Sequence, residues 1–345
     1  MEQGGGTGPA PEKSAPLLDT PVPEPPRVRI GVSSCLLGQE VRYNGGHKRD
    51  SFLTDTFARY TDWVPVCPEV EIGLGTPRPA MRLVRIGKGE TADIRLVTPE
   101  TGADHTEAMR AWAEHRVDEL ATADLDGYVL KKDSPSCGME RVKLYPEEGG
   151  APNKETRGLF ADVLLRRLPH LPVEEEGRLN DPPLRENFIT RVFVHERWRR
   201  REAEGWTRAA LTHLHERHKY LLMARNQSGM RRLGRLLGES GKRHDTQALA
   251  CAYREGLTEI LRRPPTRRGH TNVLQHMAGY VSDALDRDDR EELRDTIDRY
   301  RLGLVPLIVP ITLLRHHVRR QDVGYLKDQV YLEPHPYELM LLNHV

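Results

Sequence analysis

The chain has 345 residues, enough for two domains with a core each, and its 37% hydrophobic and 30% charged composition is ordinary for a globular protein. The net charge of +1 hides a segregation: residues 1–190 carry 24 Lys and Arg against 31 Asp and Glu, residues 191–270 carry 19 against 8, and residues 271–345 carry 9 against 12, so the middle block is +11. No run approaches the roughly 18 apolar residues of a membrane span, and four cysteines without CxxC spacing argue against a disulfide framework and for a reducing, cytoplasmic setting.

Residues 1–26, rich in Gly and Pro and lacking an apolar stretch behind a basic start, read as a disordered leader, not a secretory signal. Val28 to Val32 is the first expected strand, with Ser33 to Gly38 as the loop behind it, and Ser51 to Tyr60 is expected to be helical. A second strand from Trp63 runs into Cys67, followed by a Gly/Pro-rich loop through Gly73, Gly75, Pro77 and Arg78 and a strand over Met81 to Arg85. Thr106 to Thr122 has helical period, and a third strand from Tyr128 breaks into the polar turn Lys131 to Gly138. Strands alternating with helices predict an α/β, Rossmann-like N-terminal domain over residues 27–171 with a mainly parallel sheet.

Cys35, Cys67 and Cys137 each stand where such a strand ends. They are therefore expected to converge at the carboxyl edge of one sheet, the usual ligand site of open α/β folds. Separations of 32 and 70 residues are too wide for a zinc finger or ribbon. A structural zinc would want a fourth ligand, for which His47 is the nearby candidate, whereas a 4Fe-4S cluster on three thiolates leaves one iron open to a substrate atom. Glu69, two residues after Cys67, brings a carboxylate beside that centre or else sits on an exposed turn. Ser134 and Ser136 flank Pro135 and either face the site or cap the turn.

Ser34-Cys35-Leu-Leu-Gly38, Arg42-Tyr-Asn-Gly45, Cys67-Pro-Glu69, Gly73 to Arg78 and Lys131 to Gly138 together resemble the thiouracil desulfidase family, formerly DUF523, over about residues 28–171. The resemblance implies a 4Fe-4S enzyme that removes sulfur from a thio-substituted pyrimidine without net redox change. It implies Cys35, Cys67 and Cys137 as cluster ligands, with the fourth iron open to the substrate sulfur. It also implies Glu69 as general base and Ser134 or Ser136 as a hydrogen-bonding group on the pyrimidine or the developing anion.

Residues 172–183, with Glu174 to Glu176, Gly177 and paired prolines, read as the linker. From 184 to 345 the chain is expected to be all-α, with helical periods over Leu184 to Ala203, Thr207 to Ser228, Met230 to Leu237, Asp245 to Arg262, Arg268 to Leu285, Asp288 to Leu302 and Ile308 to Val318. Leu302 to Leu314 and Cys251 are expected in the interior. His218, His270, His276 and His335 lack a metal-site pattern and read as structural or RNA-facing residues.

The segments His218 to Ala224, Pro264 to Arg267, His270 to His276 and Tyr331 to Pro336 resemble a second family, the helical DUF1722 domain. The fused arrangement resembles bacterial enzymes that remove sulfur from 4-thiouridine in transfer RNA, which implies tRNA as partner. Arg199, Arg200, Arg201, Arg231, Arg232, Lys242, Arg243, Arg262, Arg263, Arg267 and Arg268 are the expected RNA-binding cations. Two other readings fit the same residues: a desulfidase of free thiouracil or thiouridine nucleosides, and a non-catalytic RNA-binding protein with a structural metal.

Overall fold

The computed structural model describes residues 27–87, 93–239 and 245–344. The 1–26 leader and the cations Lys242 and Arg243 lie outside them.

Strand β1 (Val28–Ser33) forms because Val28, Ile30 and Val32 alternate and all three are fully buried. It pairs in parallel with β2 (Thr61–Val66) on one side and β5 (Gly127–Leu130) on the other, and β5 pairs in parallel with β8 (Val173–Glu175). The order β2-β1-β5-β8 makes β1 and β5 the pair at which successive connections leave in opposite directions. A crevice opens outside the carboxyl ends of strands at such a switch point. Gly31 faces Tyr128 in the register, and a Cβ there would overlap the buried ring, so the strand accepts only glycine at that position.

Helices cover both faces. Helix α2 (Thr106–Ala121) and α3 (Leu159–Arg167) place Ala113, Val117, Leu120, Phe160 and Leu164 on one face with Tyr128 and Leu130. Irregular helical turns over residues 52–60 and helix α4 (Pro182–Ala203) cover the other, where Leu53, Phe57, Phe188, Ile189 and Val192 meet Val28, Ile30 and Val129. A second, mixed sheet has the order β4-β3-β6-β7, from β3 (Arg82–Ile86), β4 (Asp93–Val97), β6 (Val142–Pro146) and β7 (Asn153–Thr156). Of these only β3 was expected. The others are short, and each exposes charged or polar side chains, so they lack the apolar run that marks a buried parallel strand.

The α/β half followed by helices agrees with expectation. Helices α5 (Arg208–Glu239), α6 (Thr246–Leu261), α7 (Arg267–Ser282), α8 (Arg287–Arg301) and α9 (Ile308–Arg320) share one apolar core. Helix α5 is interrupted at Asn226, whose φ of −156° leaves helical space and whose side chain then accepts from Gly229 N at 2.9 Å. The residue thus caps a second helix, as the sequence break at Ser228 anticipated. No described helix is long and apolar enough to cross a membrane.

Several expectations need correction. Residues 173–175 of the expected linker are strand β8, and α4, expected in the helical half, is the lid on the first sheet. Leu302 and Leu304 are exposed, because they sit in the turn between α8 and α9, while Leu307, Ile311 and Leu314 are interior as expected. Cys251 is exposed on α6, whose core face is carried by Leu249, Ala250, Tyr253 and Leu257 instead.

Arg199 is not a free cation. Its Nε pairs at 2.9 Å with Asp126, which is fully buried at the start of β5, and the pair pins α4 to the sheet. Arg199→Glu would set two carboxylates together there, and a loss of about 3 kcal/mol is expected. That value is the low end for a buried pair, since Arg199 is itself partly exposed. Urea denaturation against wild type measures it.

Candidate active site

All three predicted ligands reach one cavity of about 490 Å³, inside the range of roughly 300–1,000 Å³ usual for small-ligand sites. Cys35 sits on a 3₁₀ turn directly after β1, closed by Gly38 at φ 93° and fixed by Lys48 N and Gly38 N donating to its carbonyl. Cys67 follows β2 and caps the short helix α1 (Pro68–Glu71), with Glu71 accepting from its backbone N–H at 3.1 Å. Cys137 follows β5 in a turn where Ser134 Oγ accepts from both Ser136 N at 3.2 Å and Cys137 N at 3.1 Å.

That last turn is braced from two sides. Leu159 N and Ala161 N, at the start of α3, donate to the carbonyls of Pro135 and Ser136, which satisfies helix-end donors and turn acceptors together. The approach is so close that a Cβ on Gly158 would strike the Ser136 carbonyl, and its nearest distance to Cys137 N would be 2.8 Å. Gly158→Ala is therefore expected to cost about 1–3 kcal/mol through overpacking and to displace Cys137. A lowered melting temperature together with reduced iron content checks it.

From the other side come the acids expected in the linker. Glu175 accepts from Met139 N at 2.8 Å, and Glu176 accepts from Lys132 N at 2.7 Å and from Lys131 Nζ at 2.6 Å. The sequence reading missed this role, although three acids facing a Lys-Lys pair across two neighbouring strands carry the signal.

Glu69 is an interior group, not a turn carboxylate in solvent. Its Oε1 accepts from Ser136 Oγ at 2.8 Å, and its Oε2 lies 3.6 Å from Cys67 Sγ and 3.9 Å from Arg78 Nη2. Arg78 is held in turn by the carbonyls of Val41 and Gly75, and its buried Nε finds no acceptor among the described residues. The two serines have separate jobs. Ser136 is fully buried and anchors Glu69. Ser134 lines the cavity, and because its oxygen already accepts two N–H bonds, its own hydrogen is left to donate.

Burial pushes the Cys35 thiol up to about 11, against the lowering pull of the Lys131 ammonium. Cys67 is pushed up to about 12 by burial first and the Glu69 carboxylate second. Cys137 is raised well above the usual thiol range by the same two causes in the same order. Three soft sulfur donors on one cavity thus suit a cationic centre that would displace their protons. Among the described residues no three His, Cys, Asp or Glu side chains are gathered tightly enough to chelate a single ion, and His47 is exposed, with its Nδ1 accepting from Arg49 N. Three cysteine sulfurs lining one cavity are the donor type that a 4Fe-4S cluster would take.

Among the expected RNA-binding cations, Arg231, Arg232, Arg262, Arg263, Arg267 and Arg268 are exposed. Arg200 is exposed beside Glu196, and Arg201 pairs with Glu204 and lies over Trp206. Of the expected histidines His218, His270 and His335 are buried and His276 is exposed.

A trio of thiols thus lines one cavity at the switch point of a parallel α/β sheet, with an anchored carboxylate against one of them. The chain belongs to the 2-thiouracil desulfurase family, whose model matches residues 30–176. A second model, described as a protein of unknown function (DUF1722), matches residues 219–336. Curated relatives include the uncharacterized protein YbgA of Escherichia coli (strain K12), 30% identical over 151 residues, or 44% of this chain and 89% of that one. They also include the uncharacterized protein YbbK of Bacillus subtilis (strain 168), 30% identical over 155 residues, or 44% of this chain and 98% of that one. A solved structure described as a 4Fe-4S-dependent thiouracil desulfidase, TudS, is 32% identical, covers 45% of this chain and 94% of its own, and superposes with a TM-score of 0.36.

Proposed function

We propose that the protein replaces the sulfur of 4-thiouridine in tRNA by oxygen, giving uridine and hydrosulfide. The observation that carries the reading is the single cavity on which Cys35, Cys67, Cys137, Glu69 and Ser134 all open. A 4Fe-4S cluster held by the three cysteines would supply an open iron with affinity for a soft sulfur atom and Lewis-acid pull on the thiocarbonyl.

The chain's own residues do the rest. Glu69, oriented by the Ser136 hydroxyl, takes a proton from water as its oxygen bonds to the C4 carbon. Ser134 donates to the pyrimidine edge, and Arg78, which also lines the cavity, supplies positive charge toward the anion that develops. As the C–S bond breaks, the second water proton and the one held by Glu69 both pass to the departing sulfur, which leaves the carbonyl and restores the Glu69 carboxylate. Water and thiocarbonyl thus give carbonyl and hydrogen sulfide with no electrons gained or lost.

Ser134→Ala is expected to raise KM with little change in kcat, whereas Ser136→Ala lowers kcat by roughly 10-fold, since it misplaces the base without touching substrate. Steady-state kinetics of both variants separate the two roles.

Support for a polynucleotide substrate comes from the helical half, where Arg231 and Arg232 on α5, Arg262 and Arg263 after α6, and Arg267 and Arg268 at the start of α7 are exposed. Such a surface suits phosphates in a sequence-tolerant way. The test is incubation of the anaerobically prepared protein with 4-thiouridine-containing tRNA and, separately, with free thiouracil, followed by mass spectrometry of the nucleosides. Conversion of 4-thiouridine to uridine in the tRNA is expected. Unchanged tRNA with consumed free base would replace the reading by a free-thiobase desulfidase.

A further inference from the structure

On the far side of the first sheet from the cysteines, a second crevice runs between α4, α6 and the segment entering β8. Its walls are Arg191, His195 and Trp198 of α4, Arg254 and Thr258 of α6, and His170. Nearly everything polar in it donates. The Arg191 guanidinium makes no ion pair and no hydrogen bond among the described residues, and its nearest acid in effect, Glu174, is committed to Arg178 at 2.6 Å. Trp198 is 2% exposed, and its indole N–H has no acceptor. Arg254 lies over the Trp198 ring and is only loosely met by Glu202 at 3.4 Å.

Burial pulls Arg191 down to about 10, which leaves it cationic at neutral pH. Burial, then the neighbouring Arg254 and Arg199, pull His195 down to about 3, so it stays neutral and adds no charge. A half-enclosed guanidinium without an acidic partner is a ready contact for an anion.

We propose that this crevice binds one phosphodiester of the substrate's backbone, with Arg191 as the charged contact. The space is about 30 Å³, close to one water's share of liquid volume. It admits oxygens of an oxyanion and excludes a nucleobase. Guanidinium is the cation best shaped for phosphate oxygens.

Position adds a further constraint. Pro172, on the crevice wall, precedes β8, while Cys35 and Cys137 follow the ends of β1 and β5. The two sites are thus separated by at least the length of a four-residue strand, roughly 13 Å. A free thiobase or mononucleotide does not span that, whereas a polynucleotide does. This assignment therefore rests on the RNA reading above and sharpens it: the same substrate is gripped at both edges of the sheet.

The test uses the cluster-loaded full chain and a labelled, unmodified tRNA transcript, so that binding is read without turnover. Fluorescence anisotropy over a range of salt is compared for wild type, Arg191→Gln and Arg191→Lys. The expected result is about 10-fold weaker binding for Arg191→Gln, with the slope of log affinity against log salt smaller by roughly 0.7–0.9, one phosphate's worth. Arg191→Lys keeps the slope. A merely structural Arg191 would not move the slope.

In parallel, inorganic phosphate is titrated against melting temperature, where a bound anion stabilises the fold. Transcript binding by wild type that is matched in affinity and slope by Arg191→Gln overturns the site and leaves the desulfuration reading standing. If wild type ignores the transcript, the RNA reading falls. In that event a phosphate-dependent rise in melting temperature lost in Arg191→Gln assigns the crevice to a free oxyanion, and no such rise overturns the site as well.

Discussion

Glu69→Gln is expected to yield a folded protein that keeps the broad visible absorbance of its cluster and loses turnover by roughly 10²–10⁴-fold, the usual span for a removed general base. The amide is nearly the same shape. Its oxygen still accepts from Ser136 Oγ, which stands 2.8 Å from Oε1 in the native protein, so the turn carrying Cys137 is not disturbed. What disappears is the ability to take up a proton beside Cys67, to which the other oxygen lies 3.6 Å away. Absorbance and single-turnover rates on one preparation make the check, and a rate near wild type would remove Glu69 as the base.

Cys137→Ala is expected to remove both the cluster and all measurable activity while the chain remains folded. Cys137 is 4% exposed, and its side chain packs among Leu130, Phe160 and Ala161, so replacing the thiol by a methyl leaves a small apolar gap at modest cost. The loss at the metal centre is much larger. Two thiolates then remain on separate loops, one fewer than the three that would hold the cluster. Cys251→Ala is the matched control: it lies exposed on α6, and its removal is expected to change neither iron content nor rate. Retained iron in Cys137→Ala, measured alongside circular dichroism, would count against the ligand assignment.

The strands that carry the cysteines were legible because each is an apolar run that stops at a polar turn, and a fully buried parallel strand writes that pattern plainly. Helices α6 to α9 were legible through their helical period and the breaks between them. The second sheet was not, since only Leu96 is buried in Asp93 to Val97 and no residue is buried in Asn153 to Thr156.

Tertiary facts were also invisible locally. The sequence offered Ser134 and Ser136 as equals, and only burial and partner separate the one that anchors Glu69 from the one that faces the cavity. The same holds for the basic block. Its +11 charge suggested a continuous surface, yet Arg225 is 1% exposed near Glu186, Arg197 donates to the Pro334 carbonyl and Arg199 ties down Asp126. Charge counted along a chain overstates charge on a surface when helices turn some of their arginines inward.

Iron and acid-labile sulfide, assayed on protein purified without oxygen, test the account at its root. One 4Fe-4S equivalent per chain, with a broad brown absorbance that vanishes in the cysteine variants, is the expected result. A colourless protein that carries zinc, or no metal, and still converts thiouridine would contradict it.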